Sequence, residues 1–383
     1  MEKMIALIMS ILMTLVPVIK VDNTMTEIDD STKDKVISDY LNSIEKLNEL
    51  KQNSQEQNNE VEQDTEATNQ EEFEIEQIKE SKIKLSIVGD CLLASYKGNI
   101  KQGNFASKAL EHDWGYFFDG VDEIFKSDDF SIVNLECVLS DNKLSPATKN
   151  SNPAYWYIGP TENTNILTTA SVEICNLSNN HTGDYGTKGA QDTIDAVVNA
   201  GMLYGNNDHT CYFEKDGFKI ALICNGLWYE GQEQQIIKRI KDAETQSDFQ
   251  IVYYHGGKER VNKPEDWRIR ASRKLVDGGA DLVIGNHPHV IQPMEVYNGV
   301  TIVYSMGNFV FGDESRPQNR TIVFTSEITF STENNQVINV ENNVIPCYIY
   351  TGDRNQWQPT IIPDGEDKDK VMDFMNWKVN KPL

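Results

Sequence analysis

Residues 281–309 read DLVIGNHPHVIQPMEVYNGVTIVYSMGNF. Asp281–Ile284 is a short β-branched apolar run with the character of a buried strand, and it stops at Gly285 in the polar cluster Asn286-His287-Pro288-His289. Proline fixes its own φ and drives the residue before it toward extended geometry, so His287 and His289 are expected to project to the same side. Met294–Tyr297 and Val300–Ser305 then flank Asn298-Gly299, the dipeptide preferred in two-residue hairpin turns. A strand ending in two imidazoles, followed by a hairpin, points to an alternating α/β core with antiparallel pairs beside it.

The same texture extends in both directions. Upstream, apolar runs occur at Ile83–Val88, Phe130–Val133, Val172–Leu177, Lys219–Cys224 and Gln250–Tyr254, with helical patterns at Ala190–Ala200 and Trp267–Val276, the second stopped by Gly278-Gly279. Downstream, Thr321–Phe330 and Gln336–Ile345 read as further strands, and no internal repeat is present. Polar residues follow the strands again and again: Gly89-Asp90, Asn134-Leu135-Glu136, Asn179-Asn180-His181 and His255-Gly256-Gly257. In open α/β sheets the ligand crevice lies at those carboxyl ends. Each piece alone has a plain reading as a turn, a helix cap or a satisfied loop. Their combination carries more weight, because four of the six histidines (His181, His255, His287, His289) fall in such pieces and only His112 and His209 do not. Imidazole, carboxylate and amide oxygen together suit Mn, Fe or Zn ions better than Ca²⁺, which favours oxygen alone.

The whole chain has 383 residues and a formal net charge of -24, which lacks the basic footprint that phosphate backbones require and excludes nucleic acid as a partner. Collagen, coiled-coil and disulfide-miniprotein classes are excluded by composition. The acid is concentrated in residues 21–80, which hold 18 Asp and Glu against 5 Lys and almost no aromatics; this segment reads as a self-repelling, disordered spacer, with Ile37–Leu50 as its one helical pattern. Before it, Met4–Ile19 is an apolar run between Lys3 and Lys20, too short for an ordinary span and without a clear cleavage site. Residues 1–20 are therefore read as a signal anchor, with a cleaved signal peptide as the alternative. Cys91, Cys137, Cys175, Cys211, Cys224 and Cys347 have no metal-site spacing and sit mostly in apolar runs, which implies buried free thiols.

Taken together, Gly89-Asp90, Asn134-Leu135-Glu136, Ser178-Asn179-Asn180-His181 with Asp184-Tyr185-Gly186, Gly285 to His289 and Tyr304 to Phe309 resemble the capsule synthesis protein CapA family of poly-γ-glutamate production. The resemblance covers roughly Lys82 to Phe311. It implies a metallophosphoesterase-like αββα sandwich, two mixed sheets flanked by helices, over residues 81–350, with 351–383 as a C-terminal extension. It also implies one or two divalent transition metal ions per chain: Asp90 and His289 on one, Asn180, His255 and His287 on the other, Glu136 bridging, and His181 as general acid for a leaving oxygen.

Two departures from the pattern are visible. Metallophosphoesterases begin with Asp-x-His, yet Leu92 stands two residues after Asp90, so the first ion lacks an imidazole. His255 is followed by Gly256 where an aromatic is usual, which is expected to open the pocket wall. The functional expectation is a metal-dependent hydrolase of the phosphoesterase type, held at the extracytoplasmic face of the cell membrane through the N-terminus, or secreted if the signal is cleaved. Its partners would be an anionic polymer or phosphoester substrate and other capsule synthesis subunits. A binding or assembly subunit without turnover is the second reading, and structural histidines in an exported binding domain are the third. Arg316, Arg320 and Lys258 are candidates to meet an anionic substrate. Tyr155, Trp156 and Tyr157 are candidates to line a cleft.

Overall fold

A computed structural model describes residues 79–312 and 319–383. The expected anchor at 1–20, the spacer at 21–80 up to residue 78, the helical pattern Ile37–Leu50 and Arg316 lie outside the described residues. Among the described residues no helix is long and apolar enough to cross a membrane.

The strands, in chain order, are β1 (Glu80–Cys91), β2 (Ser95–Tyr96), β3 (Phe130–Leu135), β4 (Val138–Leu139), β5 (Tyr157–Gly159), β6 (Ile174–Asn176), β7 (Leu203–Gly205) and β8 (Cys211–Lys215), followed by β9 (Phe218–Gly226), β10 (Phe249–His255), β11 (Leu282–Asn286), β12 (Ile291–Tyr297), β13 (Val300–Met306), β14 (Thr321–Ser331), β15 (Val337–Tyr348) and β16 (Thr360–Ile361). The helices are α1 (Phe105–Glu111), α2 (Asp122–Lys126), α3 (Thr164–Thr169), α4 (Gly186–Asn199), α5 (Glu233–Glu244), α6 (Asp266–Asp277) and α7 (Glu366–Met375). One sheet has the order β16-β15-β14-β1-β3-β6-β7, a second has β12-β13-β11-β10-β9-β8, and β2-β5-β4 form a small third. Both large sheets are mixed. β1, β3, β6 and β7 run parallel and β14 to β16 antiparallel, while β9, β10, β11 and β13 run parallel between the antiparallel margins β8 and β12.

Strand periodicity explains the layering. Successive side chains on a strand point to opposite faces, so Ile220, Leu222 and Cys224 of β9 and Phe249, Ile251 and Tyr253 of β10 face Ile83, Leu85, Ile87, Ile132 and Ile174 of the other sheet. The alternate residues Ala221, Ile223, Val252, Tyr254 and Val283 meet Ile236 and Ile240 of α5 and Ala271 and Leu275 of α6. On the far side, Val88, Val133 and Cys175 pack under Phe105 of α1, Phe125 of α2, Leu167 of α3 and Val197 of α4. Three apolar layers between four structural layers make the αββα sandwich that the family resemblance implied. Residues 351–383 are part of it: β16 extends the first sheet, and Val371, Phe374 and Met375 of α7 are buried in the layer between the sheets. All six cysteines are free and buried, as their apolar settings implied.

The sheets are tied directly beneath the crevice. Tyr253 Oη donates to the Val88 carbonyl at 2.8 Å, and Val88 adjoins the irregularity between Ile87 and Asp90 where β1 shifts register on β3. At the opposite end of the first sheet Ser131 donates its N–H to Glu173 at 2.7 Å and its hydroxyl to Asp128 at 2.8 Å. Burial, the main cause, pushes Glu173 up to about 7 and Asp128 up to about 6.

Because both carboxyls bind protons more tightly in the folded chain, they add stability as pH falls from about 7 toward 4 and withdraw it as pH rises. Glu173→Gln keeps the acceptor for Ser131 while removing the charge. In urea unfolding it is expected to exceed wild type by on the order of 1 kcal/mol at about pH 8, discounted for partial exposure, and to match it near pH 4. An equal difference at both pH values would contradict this assignment.

Candidate metal centre

The centre forms where parallel strands from both sheets end. Asp90 lies at the end of β1, Glu136 just beyond β3, Asn180 and His181 after β6, His255 as the last residue of β10, and His287 and His289 after β11. The end of β1 lies against the residues after β13: Asp90 N–H donates to the Gly307 carbonyl at 3.0 Å, and Phe309 N–H donates to the Asp90 carbonyl at 2.8 Å. Gly89 makes this approach possible, since a Cβ there would stand 1.9 Å from the Gly307 oxygen. Asn286 fixes the neighbouring turn, its Oδ1 accepting from Ser305 Oγ, Met306 N–H and Gly307 N–H at 3.0, 3.0 and 3.1 Å.

All seven residues singled out in the sequence meet here. One side of the centre brings Asn180 Oδ1 within 2.8 Å of His255 Nε2, which is 3.1 Å from His287 Nδ1. On the other side His289 Nδ1 is 3.1 Å from Asp90 Oδ2. Between them, Glu136 Oε1 lies 3.7 Å from His255 Nε2, 3.9 Å from His289 Nε2 and 3.8 Å from His181 Nε2. Two ligand sets with donor atoms within 4.8 Å of one another share Glu136: Glu136, His287 and His289, and Asp90, Glu136 and His255.

The electrostatics are those of a cation site. Asp90 and Glu136 are both 0% exposed. Neither Glu136 oxygen has a hydrogen-bond partner, and Asp90 Oδ2 has none either. Buried carboxylate oxygens without donors are costly unless a cation meets them. Burial, reinforced by the neighbouring Asp90, drives the Glu136 carboxyl well above the usual range. Burial also opposes ionisation of Asp90, but the adjacent His289 and His255 imidazoles hold it at about 2. Burial lowers His255 to about 3 and His287 to about 2, so both keep the neutral form that offers a lone pair to a metal. The donor set and its unpartnered oxygens thus fit one or two divalent transition metal ions.

His181 is held differently. Its Nδ1 is 2.8 Å from Asp184 Oδ2, an oxygen that also accepts from Tyr157 N–H at 2.7 Å, while Lys149 Nζ is 2.5 Å from Asp184 Oδ1. Burial lowers the imidazole's pKa against the opposing pull of Asp184. The donated Nδ1 proton leaves Nε2 facing Glu136.

Three expectations need correction. His287 and His289 do converge, but not from extended backbone: their φ angles are 103° and 59°, strained conformations held by the packed surroundings. Gly256 does not open the wall. A Cβ there would lie 1.8 Å from the Leu227 oxygen, and the neighbouring Trp228 ring stands 5.8 Å from His255 and 5.1 Å from His287. Arg320 is engaged within the chain, pairing with Asp367 at 3.0 Å over the Tyr348 ring. Of the aromatic cluster, Tyr157 reaches the centre, 4.8 Å from the His181 ring, with Tyr155 stacked on it; Trp156 Nε1 instead donates to the Ala147 carbonyl at 2.7 Å.

Several residues were not singled out from sequence. Trp228 gave no signal, since a tryptophan beyond the end of β9 carries no metal-ligand chemistry of its own. Asn134, quoted there only as part of a motif, donates to Asp90 Oδ1 at 2.7 Å and lies 3.3 Å from His255 Nδ1. Asn308 places Oδ1 2.9 Å from His289 Nδ1, and Phe311 lies 4.8 Å from the same ring. The strand-end position that identified the ligands also applied to Asn134 and Asn308.

The family model of bacterial capsule synthesis protein PGA_cap matches residues 84–313. The PGA biosynthesis protein CapA of Bacillus subtilis (strain 168) is 30% identical over 245 residues, which cover 58% of this chain and 64% of that protein. The capsule biosynthesis protein CapA of Bacillus anthracis is 28% identical over 265 residues, 62% of each. The matched part of this chain thus spans less than two thirds of the length of either relative. Among solved structures, a novel phosphatase of Mycoplasma pneumoniae aligns with a TM-score of 0.43 and 14% identity over 70% of this chain and 95% of that one. With a match over more than half of its length, this chain belongs to the bacterial capsule synthesis protein PGA_cap family.

Proposed function

We propose that this chain is a CapA-type protein of capsule or poly-γ-glutamate biosynthesis whose strand-end centre is a two-metal hydrolase site of the phosphoesterase type. The observation that carries this reading is the pair of buried carboxylates, Asp90 and Glu136, with three unpartnered oxygens set among buried imidazoles. The relatives' names support the biosynthetic setting. We further propose that Met4–Ile19 anchors the chain in the membrane with this domain on the extracytoplasmic side, and that other capsule synthesis subunits are its partners.

Bound divalent ions supply Lewis acidity at a phosphoryl oxygen and a water of lowered pKa. The chain's own residues do the rest. Asp90 and His289 would hold one position and Asn180, His255 and His287 the other, with Glu136, common to both ligand sets, between them. His181, held by Asp184 through Nδ1, presents Nε2 to the cleft, where the imidazolium formed by taking up a proton at Nε2 would pass that proton to the leaving oxygen. Trp228, Tyr157 and Phe311 wall the imidazoles and limit water. Poly-γ-glutamate is a polyanion and the chain carries a net charge of -24, so any polymer contact runs through bound cations or a local basic feature rather than overall attraction. One observation favours the reading without turnover: buried Leu92 removes an imidazole from the first position.

The test is elemental analysis of the full chain with phosphomonoester and phosphodiester assays, wild type beside His287→Ala and Trp228→Ala. About two ions per chain and hydrolysis lost with metal in His287→Ala are expected. Trp228→Ala is expected to retain the metal and raise KM several-fold. Metal without hydrolysis of any phosphoester would move the conclusion to a binding or assembly subunit, and no metal in wild type would refute the site.

A further inference from the structure

We propose that Asn308 is a metal ligand, its amide oxygen standing in for the imidazole that Leu92 cannot supply. This rests on the two-metal reading of the centre. Leu92 is buried in the apolar layer under α1 to α4, and its N–H donates to the Val310 carbonyl at 2.8 Å, so its side chain belongs to the core. The same backbone pairing places Asn308 beside Asp90, as an isolated parallel bridge.

The spacing of the donor atoms supports the assignment. Two atoms bound side by side to one octahedral ion at about 2.1 Å lie about 3.0 Å apart. Asn308 Oδ1 is 2.9 Å from His289 Nδ1, which is 3.1 Å from Asp90 Oδ2, and that oxygen has no hydrogen-bond partner. The other half of the centre shows the same pattern, with Asn180 Oδ1 2.8 Å from His255 Nε2 and His255 Nε2 3.1 Å from His287 Nδ1. Asn308 is to the first position what Asn180 is to the second.

The two positions then differ in chemistry. Asp90, Asn308 and His289 Nδ1 offer two oxygens and one nitrogen to the first position, while Asn180, His255 and His287 offer one oxygen and two nitrogens to the second, with Glu136 between the two. Oxygen-rich sets prefer harder ions such as Mn²⁺, and imidazole-rich sets suit Zn²⁺. The centre is thus an unequal pair, with a weaker, Mn²⁺-preferring first position and a tighter second one.

The experiment titrates the metal-stripped full chain with Zn²⁺, Mn²⁺ and Co²⁺, following stoichiometry by elemental analysis, Mn²⁺ by electron paramagnetic resonance and Co²⁺ by its visible spectrum. Wild type is expected to bind one ion tightly and a second more weakly. Asn308→Ala is expected to keep the tight ion, which also reports that it is folded, and to weaken the second by roughly a thousandfold. Asn308→His is expected to shift the second position toward Zn²⁺ by at least about tenfold and to change the Co²⁺ spectrum. A residue that only orients His289 would cost about 10- to 100-fold as Ala and leave the Co²⁺ spectrum unchanged as His, and that result overturns the assignment. Two ions bound to Asn308→Ala as in wild type overturn it alone, whereas wild type binding no ion overturns the two-metal reading with it.

Discussion

The structure is organised around two fully buried carboxylates, most of whose oxygens receive no hydrogen bond. Asp90 and Glu136 sit fully buried where the ends of the two sheets meet, and three of their four oxygens receive no hydrogen bond. Such burial costs on the order of 1–3 kcal/mol or more per unpaired group when nothing compensates it. The surroundings hold the groups in place without neutralising them. Asn134 donates to one Asp90 oxygen, Tyr253 clamps the sheets below, and Gly89 lets β1 close against the turn after β13. The imidazoles of His255 and His287 stay neutral through their own burial. A pocket of neutral nitrogens around buried acid is preorganised for cations.

That arrangement follows from the sandwich. Strand alternation commits one face of each large sheet to the shared apolar layer and the other to helices, so polar side chains collect where the strands stop. The parallel strands of both sheets deliver their last residues to one place, and the turn after β13, one of those strands, carries Asn308. His181 with Asp184 and Lys149 stands at the edge of this collection, and Trp228, Tyr157 and Phe311 form its aromatic wall.

Much of this was legible because it is local. β-branched runs such as Ile83–Val88 and Asp281–Ile284 mark strands by composition, and a metal-competent residue immediately after a strand is placed by topology. What escaped the sequence depends on contacts distant along the chain. Trp228 fills the space beside His255 only because β9 and β10 are neighbours, which no spacing reveals. The positive φ angles at His287 and His289 reverse a sound local rule about proline because the packed end of β11 imposes the conformation. Asn308 becomes a neighbour of Asp90 through pairing between residues more than two hundred positions apart.

The most direct test is the thermal melting of the full chain at about pH 8, metal-free and with saturating Mn²⁺, for wild type and Glu136→Gln. If Glu136 is a cation ligand buried at a cost, the substitution raises the metal-free melting temperature, by on the order of 1–3 kcal/mol of stability, and removes most of the increment that Mn²⁺ gives wild type. If Glu136→Gln instead lowers metal-free stability and Mn²⁺ stabilises both proteins equally, the carboxylate is a structural group satisfied within the chain, and the account of the centre is wrong.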